Sequence, residues 1–321
     1  RKWEVYKKNF ESSKEVIDLA DVKPFKGYCY NQKIVKDMDQ VVTQPYDKID
    51  NKAQEDYYNK SKYNIVRLIL GKNNKNNDRY QKANEYLNKW INEDVLIHED
   101  NPCFYAYWQE YENNKKKRVR KGFVGMGKLE GDEGVKAHEN TLEGPKADRL
   151  RLIKATETNF GHIFMLYNDP DNKVIGLLDK AIKNRNYSQY AHDEDGNIHK
   201  LWKIEDEGFI NEIQQEMKDK TLYIADGHHR YQTALNYRNY CREKKWESIG
   251  AEGFNNRMMT FINIDDPGMS ILATHRLIYG LNEFNEDRFL SKIKENFTIE
   301  SFNNKNDLFE NMDNKKEEEN I

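Results

Sequence analysis

The sequence predicts an α+β protein, and three observations carry that reading. Two extended, aromatic-rich runs, Phe104 to Trp108 and Val119 to Leu129, flank a polar Asn-Asn-Lys turn, which is the pattern of a long antiparallel hairpin. After about Gly131, apolar runs alternate with helical patterns, as strands packed against helices require. The composition, 37% hydrophobic and 12% aromatic against 33% charged, is polar but keeps too many Tyr, Phe and Ile side chains for a disordered chain.

Each element has its own signal. From Val22 to Asp50 short extended segments are broken by Pro24 and Gly27, and Val41-Val42-Thr43 runs into the turn Gln44-Pro45-Tyr46-Asp47. Between Asp78 and Ile91, Tyr80, Ala83, Leu87, Trp90 and Ile91 recur at helical spacing, so an amphipathic helix is expected there. The hairpin follows and completes a mixed first half. The later alternation runs through Ile163 to Tyr167, Val174 to Ile182, Ile210 to Met217, Leu222 to Ala225, Tyr231 to Lys244 and Met258 to Ile264. Ile271 to Tyr279 reads as another strand and Glu283 to Asn296 as another helix. The Lys/Glu/Asn run from Asn314 to Ile321 has no apolar face and reads as a frayed or cut end. The expected division is a mixed region with the hairpin over 1–130, a core over 131–280, and the start of a C-terminal region over 281–321.

Composition also excludes function classes. Lys+Arg 52 against Asp+Glu 55 leaves a net charge of −3, so no global positive field holds a duplex or an anionic membrane. The three cysteines, Cys29, Cys103 and Cys241, lie far apart; that spacing rules out a disulfide framework or a Cys-x-x-Cys knuckle and favours a reducing cytoplasm. Apolar runs are short and Arg1 to Ala20 is charged throughout, so neither a membrane span nor a signal segment is expected.

The most informative stretch is Leu222-Tyr223-Ile224-Ala225-Asp226-Gly227-His228-His229-Arg230-Tyr231. A buried-type strand meets a helix through a glycine. Gly227 admits a close backbone approach, the helix start offers N–H groups and a positive dipole end, and His228, His229 and Arg230 add donors. This is a phosphate-holding pattern. Asp226, at the strand end, is placed to take a magnesium ion or to orient a reacting hydroxyl. The plain alternative is a polar N-cap with exposed histidines.

The second stretch is His138-Glu139-Asn140-Thr141-Leu142-Glu143-Gly144-Pro145-Lys146-Ala147-Asp148-Arg149-Leu150. Gly144-Pro145 signals a helix start, with the helix running to about Thr156. That leaves His138, Glu139 and Thr141 in the preceding loop, which alone reads equally as solvated surface; with Lys146, Asp148 and Arg149 close behind, it reads as a polar site for an anion. A zinc-protease motif fails because Leu142 stands where a second His is needed. Gly122 to Lys128 has the spacing of a phosphate loop, yet Leu129 replaces the magnesium-binding Ser or Thr and the glycines fall inside a strand pattern. A bulge allowed by glycine is the expectation there. Thr274-His275-Arg276 interrupts an apolar run and could line a pocket or be structural; Pro45-Tyr46-Asp47 could be a plain turn or a substrate contact.

Together, Gln44-Pro45-Tyr46-Asp47, His138-Glu139-Asn140-Thr141, Gly144 to Leu150, Asp226 to Tyr231 and Thr274-His275-Arg276 resemble a bacterial family long catalogued as domain of unknown function 1015. The likeness runs from about Val22 to Tyr279. Family members usually continue further, which implies that this chain, with Arg1 in place of an initiator Met, is truncated. The Asp-Gly-His-His-Arg loop in turn resembles the nucleotide loop of the ParB/sulfiredoxin superfamily, most closely that of free-serine kinases.

The resemblance implies a ParB/sulfiredoxin-like nucleotide-binding core behind an N-terminal mixed antiparallel-sheet domain. It implies Asp226 to Arg230 around ATP or ADP phosphates and Mg2+, with Asp226 as metal ligand. Glu139 would be the general base beside His138, and Tyr46, Asp47, Thr141, Lys146, Arg149, His275 and Arg276 would lie near a serine-like substrate. His228 replaces the cysteine that sulfinic-acid reduction needs. No basic recognition helix follows the box, so nucleic acid is the weaker partner. The alternatives are a ParB-like nucleotide-regulated nucleic-acid-binding protein and a non-catalytic metabolite or nucleotide sensor.

Overall fold

The computed structural model describes residues 20–72, 78–113, 115–129, 135–136, 143–270 and 279–314. The described residues fall into two compact units, 20–270 and 279–314.

The larger unit is mixed α+β. Nine strands form its main sheet: β1 (Val22–Lys23), β4 (Phe104–Asn113), β5 (Lys116–Lys128), β6 (Val135–Lys136), β7 (Ile163–Tyr167), β8 (Gln189–His192), β9 (Ile198–Ile204), β10 (Leu222–Asp226) and β11 (Asn256–Asn263). Their spatial order is β6-β10-β7-β11-β5-β4-β9-β8, and β1 pairs with the end of β5 that β4 leaves bare. The expected hairpin is β4 and β5, paired from Asn113↔Lys116 to Tyr105↔Val124. Strands from both sides of position 131 share this sheet. A two-stranded pair, β2 (Tyr28–Tyr30) and β3 (Leu96–His98), stands apart from it.

Alternation along the strands gives the sheet two faces. Phe104, Ala106 and Trp108 of β4, Phe123 of β5, Ile163, Met165 and Tyr167 of β7, Leu222 and Ile224 of β10, and Met259 and Phe261 of β11 share one core. Helices α5 (Lys173–Ile182), α6 (Glu207–Met217) and α7 (His228–Glu243) add side chains to it, among them Leu178, Ile213 and Ala234. Asp206 caps α6 by accepting from Phe209 N at 3.1 Å, a favoured N-cap. A smaller cluster on the opposite face joins Tyr105, Val124 and Met126 to Phe25 and Cys103.

A third cluster belongs to the helical segment between β2 and β4. It contains α1 (Asn51–Lys60), the short α2 (Val66–Ile69) and α3 (Arg79–Asn92). Asp78 caps α3, and Ala83, Leu87 and Trp90 are buried along one stripe of it, the periodicity expected from sequence. Leu87 and Trp90 pack with Val35, Val41, Leu68 and Val95.

The glycines of β5 do not form a bulge. Pairing with β11 is unbroken from Asn256↔Lys128 to Ile262↔Gly122. Instead they clear neighbouring bulk: a Cβ at Gly122 would collide with the Phe261 carbonyl and the Ile262 side chain, and one at Gly125 would come within 2.7 Å of the Phe104 ring. The Gly-x4-Gly-Lys spacing is therefore a packing pattern, with the glycines inside a strand.

Between α5 and α6 lies a further hairpin, β8 and β9, paired from Gln189↔Leu201 to His192↔Ile198. Its turn folds on Asp193, whose Oδ1 accepts from Asn197 N at 2.9 Å, with Gly196 at φ +78°. The Asp195-Gly196 pair is the turn signal that would have revealed it.

The smaller unit holds α8 (Glu286–Lys294) and α9 (Lys305–Asn314). Asn285 caps α8 by accepting from Arg288 N at 2.8 Å. Among the described residues no helix is long and apolar enough to cross a membrane.

Candidate functional site

Antiparallel pairing of β10 with β7, and parallel pairing of β7 with β11, bring three strand ends to one rim. There Asp226 ends β10, Gly227 takes φ +98° and ψ 27°, and α7 begins at His228. A positive φ of this kind favours glycine, and as N-cap Gly227 contributes no side-chain acceptor. The sixteen-residue helix thus presents its positive end directly behind an exposed carboxylate. The helix starts three residues earlier than Tyr231, so both histidines and Arg230 belong to its first turn.

Those three side chains diverge. His228 is buried, on the same face as Tyr231 and Ala234, while His229 and Arg230 are half-buried. Arg230 ion-pairs with Asp226 and donates to the His162 carbonyl. It thereby ties the loop to the start of β7.

Several expected site residues gather around this rim. The short helical turn Tyr46–Lys48 sets the Tyr46 ring 4.1 Å from the Arg149 guanidinium. Burial raises the Tyr46 hydroxyl's pKa, and Arg149 and Arg230 both oppose that rise, so the turn, α4 (Glu143–Thr156) and α7 act on one neighbourhood. Arg149 also donates to the Ile69 carbonyl at 2.7 Å and to Asp148 at 2.8 Å. Asp148 accepts from Tyr80 Oη at 2.6 Å and pairs with Arg79. Burial pushes its carboxyl up, but these partners prevail and hold it below its ordinary value. Asp47 is exposed and Lys146 half-buried. His138, Glu139, Thr141, His275 and Arg276 lie outside the described residues.

Other polar groups here were not singled out from sequence. His162 lies at the rim with Nδ1 bonded to Thr260 Oγ1. Burial, then Arg230 and Arg257, lower its pKa to about 4, so it is neutral at pH 7. Nearby, Tyr107 Oη lies 2.6 Å from His199 Nδ1, and His199 Nε2 lies 3.0 Å from Asp193 Oδ2. The Tyr107 and His162 rings meet edge to face at 6.5 Å. Burial pushes the Tyr107 phenol up to about 12. His162, His199 and Thr260 carry no motif of their own; only the sheet register assembles them.

The rim therefore combines an exposed carboxylate, a helix N-terminus, converging arginines and a neutral imidazole. That set can hold an anion and exchange protons beside it. Among the described residues no group of three or more His, Cys, Asp or Glu side chains could hold a metal ion.

The sequence profile of a family described as protein of unknown function (DUF1015) matches residues 22–320. The chain belongs to the DUF1015 family. The match spans every described element of both units. No curated protein and no solved structure matches the chain.

Proposed function

We propose that this DUF1015 protein is a kinase that uses magnesium and transfers a phosphoryl group from ATP or ADP to the hydroxyl of free serine or a similar small metabolite. On this reading β10 and α7 belong to a ParB/sulfiredoxin-like core, and the setting is cytoplasmic. The observation that carries it is the junction itself, where an exposed carboxylate, a left-handed glycine and the first turn of a long helix follow one another beside Arg230. Phosphoryl transfer demands positioning and charge neutralisation more than covalent chemistry, and these groups meet that demand.

Asp226 suits magnesium, a hard cation that usually takes one or two protein carboxylates and fills its shell with water and phosphate oxygens. When bound, the ion would neutralise charge on the phosphate oxygens. Gly227 admits phosphate oxygens to the backbone, and the helix start, His229 and Arg230 supply donors. Glu139 takes the acceptor's hydroxyl proton as the acceptor oxygen bonds to the terminal phosphorus and the bond from that phosphorus to the departing ADP or AMP breaks, with His138 beside it.

The test is nucleotide consumption over a panel of hydroxy amino acids, repeated with two variants. Glu139→Gln keeps size and reach but loses basicity, so phosphoserine formation should fall about 10²- to 10⁴-fold with nucleotide affinity nearly unchanged. Asp226→Asn should weaken nucleotide binding and turnover together. Wild-type protein that binds nucleotide yet phosphorylates no hydroxylated small molecule would refute the kinase and leave a sensor or a ParB-like switch.

A further inference from the structure

Arg257 is electrostatically out of place. Its side chain is on a residue only 8% exposed, Nη2 donates to the Gly161 carbonyl at 3.0 Å, and Nε has no partner. Taking a guanidinium out of water is costly unless a counter-charge or a full set of acceptors meets it. Arg79 and Arg149 have Asp148, and Arg230 has Asp226. Among the described residues Arg257 has no such carboxylate. Burial, and then the like charge of Arg230, lower its pKa to about 9.

The same residue lines a cavity of about 200 Å³ whose wall also carries Glu157, Glu247, Glu252, Asn159, Tyr237 and Trp246. That space equals about seven waters of liquid volume and is smaller than the roughly 300–1,000 Å³ pockets that enclose drug-sized ligands. One wall wants a negative charge and another offers carboxylates, so the complementary molecule is small and zwitterionic.

We infer that this cavity binds a small free amino acid, with its α-carboxylate on the Arg257 guanidinium and its ammonium toward the acidic wall of Glu157, Glu247 and Glu252. Glu252 Oε1 accepts from Lys26 N at 2.7 Å, which fixes that carboxylate on the cavity wall. Trp246 and Tyr237 cover the ligand's carbon skeleton and favour its cation. As the acceptor's subsite the cavity deepens the kinase reading and rests on it; as a binding site it needs no phosphoryl transfer.

The experiment titrates the full chain, without nucleotide, with L-serine, L-threonine, glycine, glycerate and inorganic phosphate, by calorimetry and by thermal melting. The amino acids should bind, and glycerate, which lacks the ammonium, should bind more weakly. Arg257→Met should weaken amino-acid binding about ten- to hundred-fold by removing a charge-assisted pair. Arg257→Lys keeps the charge but loses the fork, and should weaken it less.

Without ligand, Arg257→Met should melt no lower than wild type, because an uncompensated buried charge is gone. A merely structural arginine would give the opposite melting result. Wild-type amino-acid affinity in Arg257→Met, or binding of phosphate but of no amino acid, would overturn the inference. Serine phosphorylation that Arg257→Met leaves intact would sink the subsite and spare the kinase. Serine binding that depends on Arg257 in a protein that never forms phosphoserine would do the reverse.

Discussion

Acidification below pH 6.5 will destabilise this protein through His162, and replacing that residue will remove the effect. The half-buried imidazole lies beside Arg230 and Arg257. Burial first, and then those two charges, lower its pKa to about 4, with Asp226 pulling weakly the other way. The unfolded chain takes the same proton near 6.5. Between the two values the unfolded state binds more protons, so stability rises with pH in that window and is lost as pH falls through it. The gap is worth roughly 3 kcal/mol once the pH is below 4, and roughly 2 kcal/mol at pH 5.

The assay is thermal melting of wild type and His162→Asn at pH 7 and pH 5. Asn does not titrate and still offers Thr260 a hydrogen-bonding partner. Wild type should lose roughly 4 °C more than the variant between the two pH values. The variant itself should melt somewhat lower at pH 7, where only the native packing differs. Equal losses in both proteins would show that His162 is not held neutral and that the charges around it have been misjudged.

Further expectations concern the loop, the sheet and the two ligand sites. Gly227→Ala puts a Cβ within 3.1 Å of the Arg230 guanidinium at φ +98°; it should cost about 1–2 kcal/mol and weaken anion binding, read by melting and by sulfate titration. Gly227→Asn, which visits this region more readily, should recover part of the loss. Gly122→Val drives a side chain into the Phe261 carbonyl and Ile262 and should cost more than about 3 kcal/mol, read by denaturant unfolding. The Glu139 and Asp226 variants separate chemistry from nucleotide binding by their turnover and titration pattern. Arg257→Met is expected to keep or raise stability while losing amino-acid affinity.

Local structure was legible in the sequence wherever one short-range signal dominated. The α3 stripe of Ala83, Leu87 and Trp90 follows from helical periodicity, and the β4–β5 hairpin from aromatic strands around an Asn-Lys turn. The Asp226-Gly227 junction was legible because few local structures other than a strand passing into a helix call for that glycine. β8 and β9 escaped notice because their half-buried, polar alternation, with His199, Lys200 and Lys203 between apolar residues, lacks a strong apolar run. The role of the β5 glycines escaped too, since what they clear belongs to β11 and β4, far away in sequence.

By itself the sequence determined the mixed α+β class, the strand–glycine–helix loop and the family motifs that mark it, because each depends on residues within a few positions of one another. Tertiary structure alone decided which polar groups share the rim. His162 meets Thr260 across a parallel strand pair, Arg230 reaches back to the His162 carbonyl, and Tyr107 reaches His199 across β4 and β9. It also decided that Arg257 is buried without a counter-charge while Arg149 is not. The physical reason is that a side chain's charge environment is set by strand order and register, which join residues about a hundred positions apart, and no periodicity along the chain encodes which strand lies next to which.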